Sequence, residues 1–133
     1  MSEAKDIVGI NRALARYIDG VNQRDADLWA TSWDKDAEWY LFGPDTVVGR
    51  DAIVAAWLDA MAGFPFVVMH GTQGDVVVDG DTATGRSYSS ELARTVDGQR
   101  LRVMGQYDDH YRKRDGVWAF SYRRFTMLDT EEC

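Results

Sequence analysis

The segment QYDDHY, residues 106–111, places two adjacent aspartates and a histidine inside a run that reads as a strand. Side chains alternate between faces along a strand, so Tyr107, Asp109 and Tyr111 share one face and Gln106, Asp108 and His110 the other. Aspartate is disfavoured inside strands unless pairing or chemistry requires it. One of the two acids is therefore a candidate base. The competing reading is cross-strand pairing with Arg86, Arg94 or Arg102. The same alternation divides SYRRF, sending Arg123 and Arg124 to opposite faces; as a solvent-facing pair they would only balance an acidic surface. His70, in VMHGTQGD, is the second histidine. Two histidines without a neighbouring cysteine make no zinc site. GRSYSSE lacks the strand–turn–helix setting of a nucleophile elbow, and no glycine-rich nucleotide motif is present. The expectation is chemistry without a cofactor or metal.

Residues 17–39 hold six carboxylates and three tryptophans. Asp25 and Asp27 are candidate helix caps. Asp34, Asp36 and Glu38 read as a solvated turn before a strand, and Asp19 is either a pocket-border acid or a solvent-side helix residue. Trp29 and Trp33, four apart, share a face if both are helical. With Trp57 behind them they form either an apolar lid or plain core.

These residues need elements to position them. Ile7, Ile10, Leu14, Tyr17, Ile18 and Val21 recur at spacings of three and four, which predicts a helix over 4–22. Gly20 should weaken its last turn. A short second helix follows Asp25, AEWYLF (37–42) reads as a strand, and GRDAIVAAWLDAMAG reads as a third helix stopped at Gly63. FPFVVMHG reads as a strand, and Asp79-Gly80, Asp97-Gly98 and Asp115-Gly116 mark hairpin turns between strands at about 73–78, 82–96, 100–114 and 117–128. Strands that long must curl strongly. The expected fold is α+β: a cone-shaped barrel of strongly curled antiparallel sheet, with three N-terminal helices closing an apolar pocket.

The chain has 133 residues, fitting one domain over 1–133, with 45% hydrophobic and 28% charged residues. Its net charge of −7 opposes binding to nucleic acid, which requires a basic face, and to an anionic membrane. No apolar run is long enough to span a bilayer, and MSEAKDIVG lacks a secretory pattern, so a cytoplasmic protein is expected. Cys133, the only cysteine, has no partner for an intrachain disulfide.

LARYIDGVNQRDADLW, WDKDAEW, VVGRDAIVAAW, VDGDTATGRSY, GQYDDHYRKRDGVWAF and RRF, in that order and spacing, resemble the SnoaL-like group of the nuclear transport factor 2-like superfamily. The resemblance covers residues 4–128. The group includes scytalone dehydratase, a dehydrochlorinase and polyketide cyclases. In the first two branches a histidine–aspartate dyad abstracts a proton, the aspartate fixing the imidazole tautomer. The aspartate position corresponds to Asn22 here, which carries no charge. The histidine position falls on Met69 or His70, depending on a one-residue register choice that decides the face; a bulge near Gly71 or Gly74 would turn His70 inward. Arg123 matches a family arginine that holds a leaving group or oxyanion. The cyclase branch uses a strand aspartate as base, so the resemblance also implies Asp109 or Asp108.

The resemblance implies a cofactor-independent lyase or isomerase that transfers a proton on an apolar, oxygen-bearing, cyclic molecule. His70 would be the base and Arg123 the oxyanion holder, with Asn22, Tyr88 and Tyr107 orienting the substrate. Trp29, Trp33, Trp57, Met69 and Phe125 would supply apolar walls. If Asn22 and His70 meet, Asn22→Asp should raise the His70 pKa. The alternative is a ligand-binding or dimerisation protein that has lost the dyad. A homodimer is expected, because Trp118 and Tyr122 on the far sheet face should not stay wet.

Overall fold

The computed structural model describes residues 2–41 and 46–133. The elements are α1 (Glu3–Gln23), α2 (Ala26–Ala30), β1 (Trp33–Tyr40), β2 (Val47–Val48), α3 (Arg50–Met61), β3 (Phe66–Asp79), β4 (Thr82–Arg94), β5 (Arg100–Arg114) and β6 (Val117–Glu132). Phe42, expected in the first strand, lies outside the described residues.

Helix α1 starts where the Ser2 hydroxyl accepts the Lys5 amide at 3.2 Å. It ends at Arg24, whose left-handed backbone (φ 51°) lets its N–H reach the Gly20 and Val21 carbonyls. Gly20 does not end the helix. It is there because a Cβ would sit 2.5 Å from the Trp29 Cβ, and this close approach lets α2 lie against α1. Asp25 caps α2 through the Leu28 amide. The Arg24 guanidinium donates to the Met61 and Phe64 carbonyls, at 2.8 Å each, and ties the end of α1 to the end of α3.

All three hairpins form, but only the last turns on its Asp-Gly pair: Asp79 pairs with Thr82, so the first turns on Gly80 and Asp81, and the second is a longer loop over 95–99. Asp115 and Gly116 both have positive φ (52° and 77°), the requirement of a tight two-residue turn that matches strand twist. The sheet departs from expectation. Its order is β2-β1-β6-β5-β4-β3, with β1 parallel to β6, so it is mixed rather than antiparallel. It is neither closed nor strongly curled, and the described strands do not form the expected cone-shaped barrel. The two segments expected at 64–71 and 73–78 are one strand, β3, with a register shift between Gln73 and Val76.

Strand β1 begins at Trp33, so Trp33 is not helical, and Asp34, Asp36 and Glu38 lie on a strand rather than in a turn. Asp34 is buried and paired with Arg114 at 2.6 Å. Trp118 is also not on the outer face. Its ring packs so closely on α1 that a Cβ at Gly9 would be 2.6 Å from it, and its Nε1 donates to Asp6 at 3.1 Å.

Helix α1 packs on β3 and β6, and α3 on β1. Between helices and sheet lies a core that includes Ile10, Leu14, Tyr17, Trp29, Trp33, Ile53, Met69, Tyr111 and Phe120. The site is built on the helix-facing side of β4, β5 and β6.

Candidate functional site

Alternation along β5 and β6 sends Asp109 and Arg123 to the helix-facing side, where both side chains are fully buried. They are opposite one another across the strand pair. Arg123 Nε donates to Asp109 Oδ1 at 2.7 Å and Nη2 donates to Oδ2 at 3.2 Å. Nη2 also donates to Ser87 Oγ at 2.7 Å, and that hydroxyl donates to Asp109 Oδ2 at 3.0 Å. Tyr111 adds a hydroxyl donor to the same oxygen and receives one from Gln73 Nε2. Burial pushes the Asp109 carboxyl up, while Arg123, Ser87 and Tyr111 pull it back. For Arg123, burial works against the charge, and Asp109 together with Tyr17 and Tyr107 more than offsets it. With four donors converging on one carboxylate, the pair is ionised at neutral pH.

The guanidinium has no free face. Its carbon lies 3.6 Å from the Tyr107 ring centroid, 4.0 Å from Phe120 and 4.4 Å from Tyr17. Nη1, which lacks a hydrogen-bond partner, sits among these π-faces. Beyond the rings lies a cavity of ≈ 320 Å³ between α1, α3 and the sheet. Its walls include Trp39, Trp57, Met61, Val67, Leu101 and Phe125. Tyr17 and Tyr107 line it; Arg123 and Asp109 do not. Burial raises both phenols, and the nearby Arg123 charge opposes that rise. They are therefore neutral hydrogen-bond donors, with their hydroxyls neighbours of one another. Among the described residues, the one carboxylate in the lining is Glu91, on the inward face of β4 between Met69 of β3 and Val103 of β5.

A wider groove of ≈ 530 Å³ runs between α1 and the β5–β6 turn, lined by Lys5, Arg12, Arg16 and Lys113. Two of its cations are already used: Lys113 pairs with Asp6 and Arg16 donates to the Trp118 carbonyl. Among the described residues no group of three or more His, Cys, Asp or Glu side chains is placed to hold a metal ion.

The expected residues divide sharply. Asp109, rather than Asp108, faces inward; Asp108 pairs outside with Arg86 at 3.0 Å. Tyr107, Trp57 and Phe125 line the cavity as expected. Trp29 and Trp33 are core, not a lid: Trp29 stacks on Trp57 at 4.4 Å and meets Trp33 edge-on. Tyr88 is exposed, 42% accessible, on the opposite sheet face. Asp19 is exposed as well.

Met69 is buried and His70 exposed. The register shift in β3 comes after His70 and does not re-aim it. Asn22 is occupied by Met69: its Oδ1 accepts the Met69 amide at 2.7 Å and its Nδ2 donates to the Met69 carbonyl at 2.9 Å. β3 is the sheet edge, and the Asn22 amide stands in for a missing strand neighbour there. An amide has both a donor and an acceptor for this; a carboxylate has only acceptors. His70, Asn22 and Arg123 therefore do not converge, and His70 as base is not supported. The residue missed in the sequence is Glu91. Alternation from Ser87 and Ser89 places it inward, but a lone glutamate in GRSYSSE forms no motif.

Residues 2–124 match the model of the SnoaL-like domain family, and the chain belongs to that family. No curated protein matches the sequence. Among solved structures, the hexachlorocyclohexane dehydrochlorinase LinA superposes with a TM-score of 0.88 at 26% identity, over 100% of this chain and 95% of that one. A protein of unknown function from Mycobacterium tuberculosis is 32% identical over 92% of this chain and 71% of its own, with a TM-score of 0.73. A putative scytalone dehydratase from Novosphingobium aromaticivorans shares the fold, with a TM-score of 0.87 at 21% identity over 99% and 92% of the two chains.

Proposed function

We propose that the protein is a cofactor-independent lyase or isomerase acting by proton transfer on an apolar, oxygen-bearing, cyclic small molecule. The observation that carries this reading is the tyrosine pair. Tyr17 and Tyr107 are held neutral by burial at one end of an apolar cavity, with an ionised arginine packed behind their rings. Such a site can accept a neutral ring and donate a hydrogen bond to its oxygen as negative charge develops there. The cavity volume of ≈ 320 Å³ suits a one- or two-ring molecule. Arg123 acts behind the aromatic rings and does not touch the substrate.

A ligand-binding protein without turnover is the second reading, and the commitment of Asn22 to the Met69 backbone favours it. A panel of uncharged cyclic ketones, phenols and halogenated rings separates the two. Binding should raise Tm, by the equivalent of about 2.7 kcal/mol at a hundredfold excess over Kd. NMR of the same mixtures should show elimination or a double-bond shift for at least one member. Stabilisation without any product would favour the binding protein; no stabilisation by any member would end both readings.

In solution we propose a homodimer. With Trp118 buried, its support moves to other exposed apolar side chains, Tyr88, Met104 and Leu128.

A further inference from the structure

We propose that Glu91 is the catalytic base of the cavity, taking a proton from carbon next to a carbonyl whose oxygen is held by the Tyr17–Tyr107 pair. The assignment rests on the proton-transfer reading above and names the residue and substrate class that it needs.

Among the described residues the geometry leaves one candidate. His70 faces away from the cavity. Asp109 is outside the lining and saturated by Arg123, Ser87 and Tyr111. Among the described residues, no hydrogen-bond donor or cation reaches the Glu91 carboxyl. Glu91 is half-buried and desolvated; an acid so placed without a partner is costly as structure, and a cavity wall does not otherwise require it. The titratable groups facing Glu91 are Tyr17 from α1 and Tyr107 from β5. The other walls present apolar or uncharged groups, such as Ala60 and Met61 of α3, Trp39 of β1, Val67 of β3 and Thr130 of β6. Desolvation raises the Glu91 pKa and so makes its carboxylate a stronger base.

The step balances without a co-reactant. The Glu91 carboxylate takes the proton, the C–H bond breaks and an O–H bond forms on Glu91. The electron pair moves into the carbonyl, giving an enolate whose oxygen accepts the tyrosine hydrogen bond. Returning the proton to the same or a conjugated carbon completes an exchange or isomerisation and restores the carboxylate. The substrate must be uncharged: among the described residues the lining holds one anion and no cation, so a carboxylated ring would meet Glu91 without a counter-charge.

The probe is α-tetralone, an uncharged bicyclic ketone, incubated with the protein in D2O. Deuterium uptake beside the carbonyl is followed by NMR and binding by calorimetry. Wild type should exchange faster than buffer, with a rate that rises with pH as Glu91 loses its proton. Glu91→Gln should bind α-tetralone as wild type does but lose about 10²–10⁴-fold in exchange, together with that pH limb. Glu91→Asp should recover part of both. Exchange by Glu91→Gln at the wild-type rate overturns the assignment and leaves the proton-transfer reading standing. Binding by wild type without exchange overturns both, and no binding refutes the ketone class and with it the assignment. A Glu91→Gln variant that melts below wild type would make Glu91 a structural residue and also overturn the assignment.

Discussion

Two carboxyl groups on one side of the same sheet have opposite surroundings. Asp109 is sealed, with a bidentate arginine, two hydroxyls and a complete set of donors. Glu91, on the neighbouring strand β4, faces a cavity and has no partner. Both are acids at inward strand positions, and sequence pattern alone treats them alike. The difference is satisfaction. A buried charge whose lone pairs are all used is architecture, and one left bare can exchange protons.

The contrast breaks most severely at the sealed end. Arg123→Met should leave Asp109 charged and unpaired, at a cost of about 3–5 kcal/mol in urea unfolding. Adding Asp109→Leu should recover most of that loss, since a buried pair replaced by apolar groups is often neutral. A double variant no more stable than Arg123→Met would mean that Asp109 is not the source of the loss.

Asn22→Asp tests the clamp on the edge strand β3. It removes the donor to the Met69 carbonyl and sets a carboxylate against it, for an expected loss of about 1–3 kcal/mol. The NMR signals of the His70 ring should not move, because Asn22 faces Met69 and not the imidazole. A His70 shift would restore the dyad expected from the resemblance.

A smaller effect separates the two kinds of acid by pH. Asp34 is desolvated, but its bonds to Arg114 and to the Asp36 amide hold it below its ordinary 3.8. Its contribution is present above 3.8 and lost as pH falls through the lower folded value. Glu91 is raised above its ordinary 4.5 by burial, so its contribution is complete below 4.5 and lost as pH rises through the higher folded value. Thermal melts of wild type should decline on both sides of that interval. Glu91→Gln should flatten only the upper side and melt higher at neutral pH. The least effect is expected from His70→Ala, within about 0.5 kcal/mol and without change in ligand binding. A large loss would mean that the exposed histidine has a partner, such as a second copy of the chain.

Local features were the most legible in the sequence. The hairpin sites, the Asp115-Gly116 turn and the Asp25 cap depend on a few adjacent residues, and each formed, although the first two hairpins turn on other residues than their Asp-Gly pairs. Alternation correctly paired Tyr107, Asp109 and Tyr111 on one buried face. Properties set by distant contacts were harder. Trp33 has helical spacing from Trp29, yet the parallel strand β6 draws it into β1 through pairing with Phe120. Closure of the sheet depends on strand order, which pattern does not encode. The faces of Met69 and His70 differ by one residue, and the Asn22 clamp fixes that choice from 47 positions away. Glu91 was obscured because glutamate in a strand looks like a solvent residue until its neighbours are known.

The tryptophan cluster also makes the protein its own optical gauge. Trp29 and Trp57 lie nearly parallel, 4.4 Å apart and 12° between planes, close enough for their excited states to couple into a split near-ultraviolet dichroism band. Trp39 meets Trp29 at 5.7 Å, and it and Trp57 are the indoles that border the cavity. Their rings sit in fixed, chiral relation to one another. A molecule entering beside Trp57 changes the polarisability at one member of the coupled pair, and the band should change shape without any dye, label or turnover.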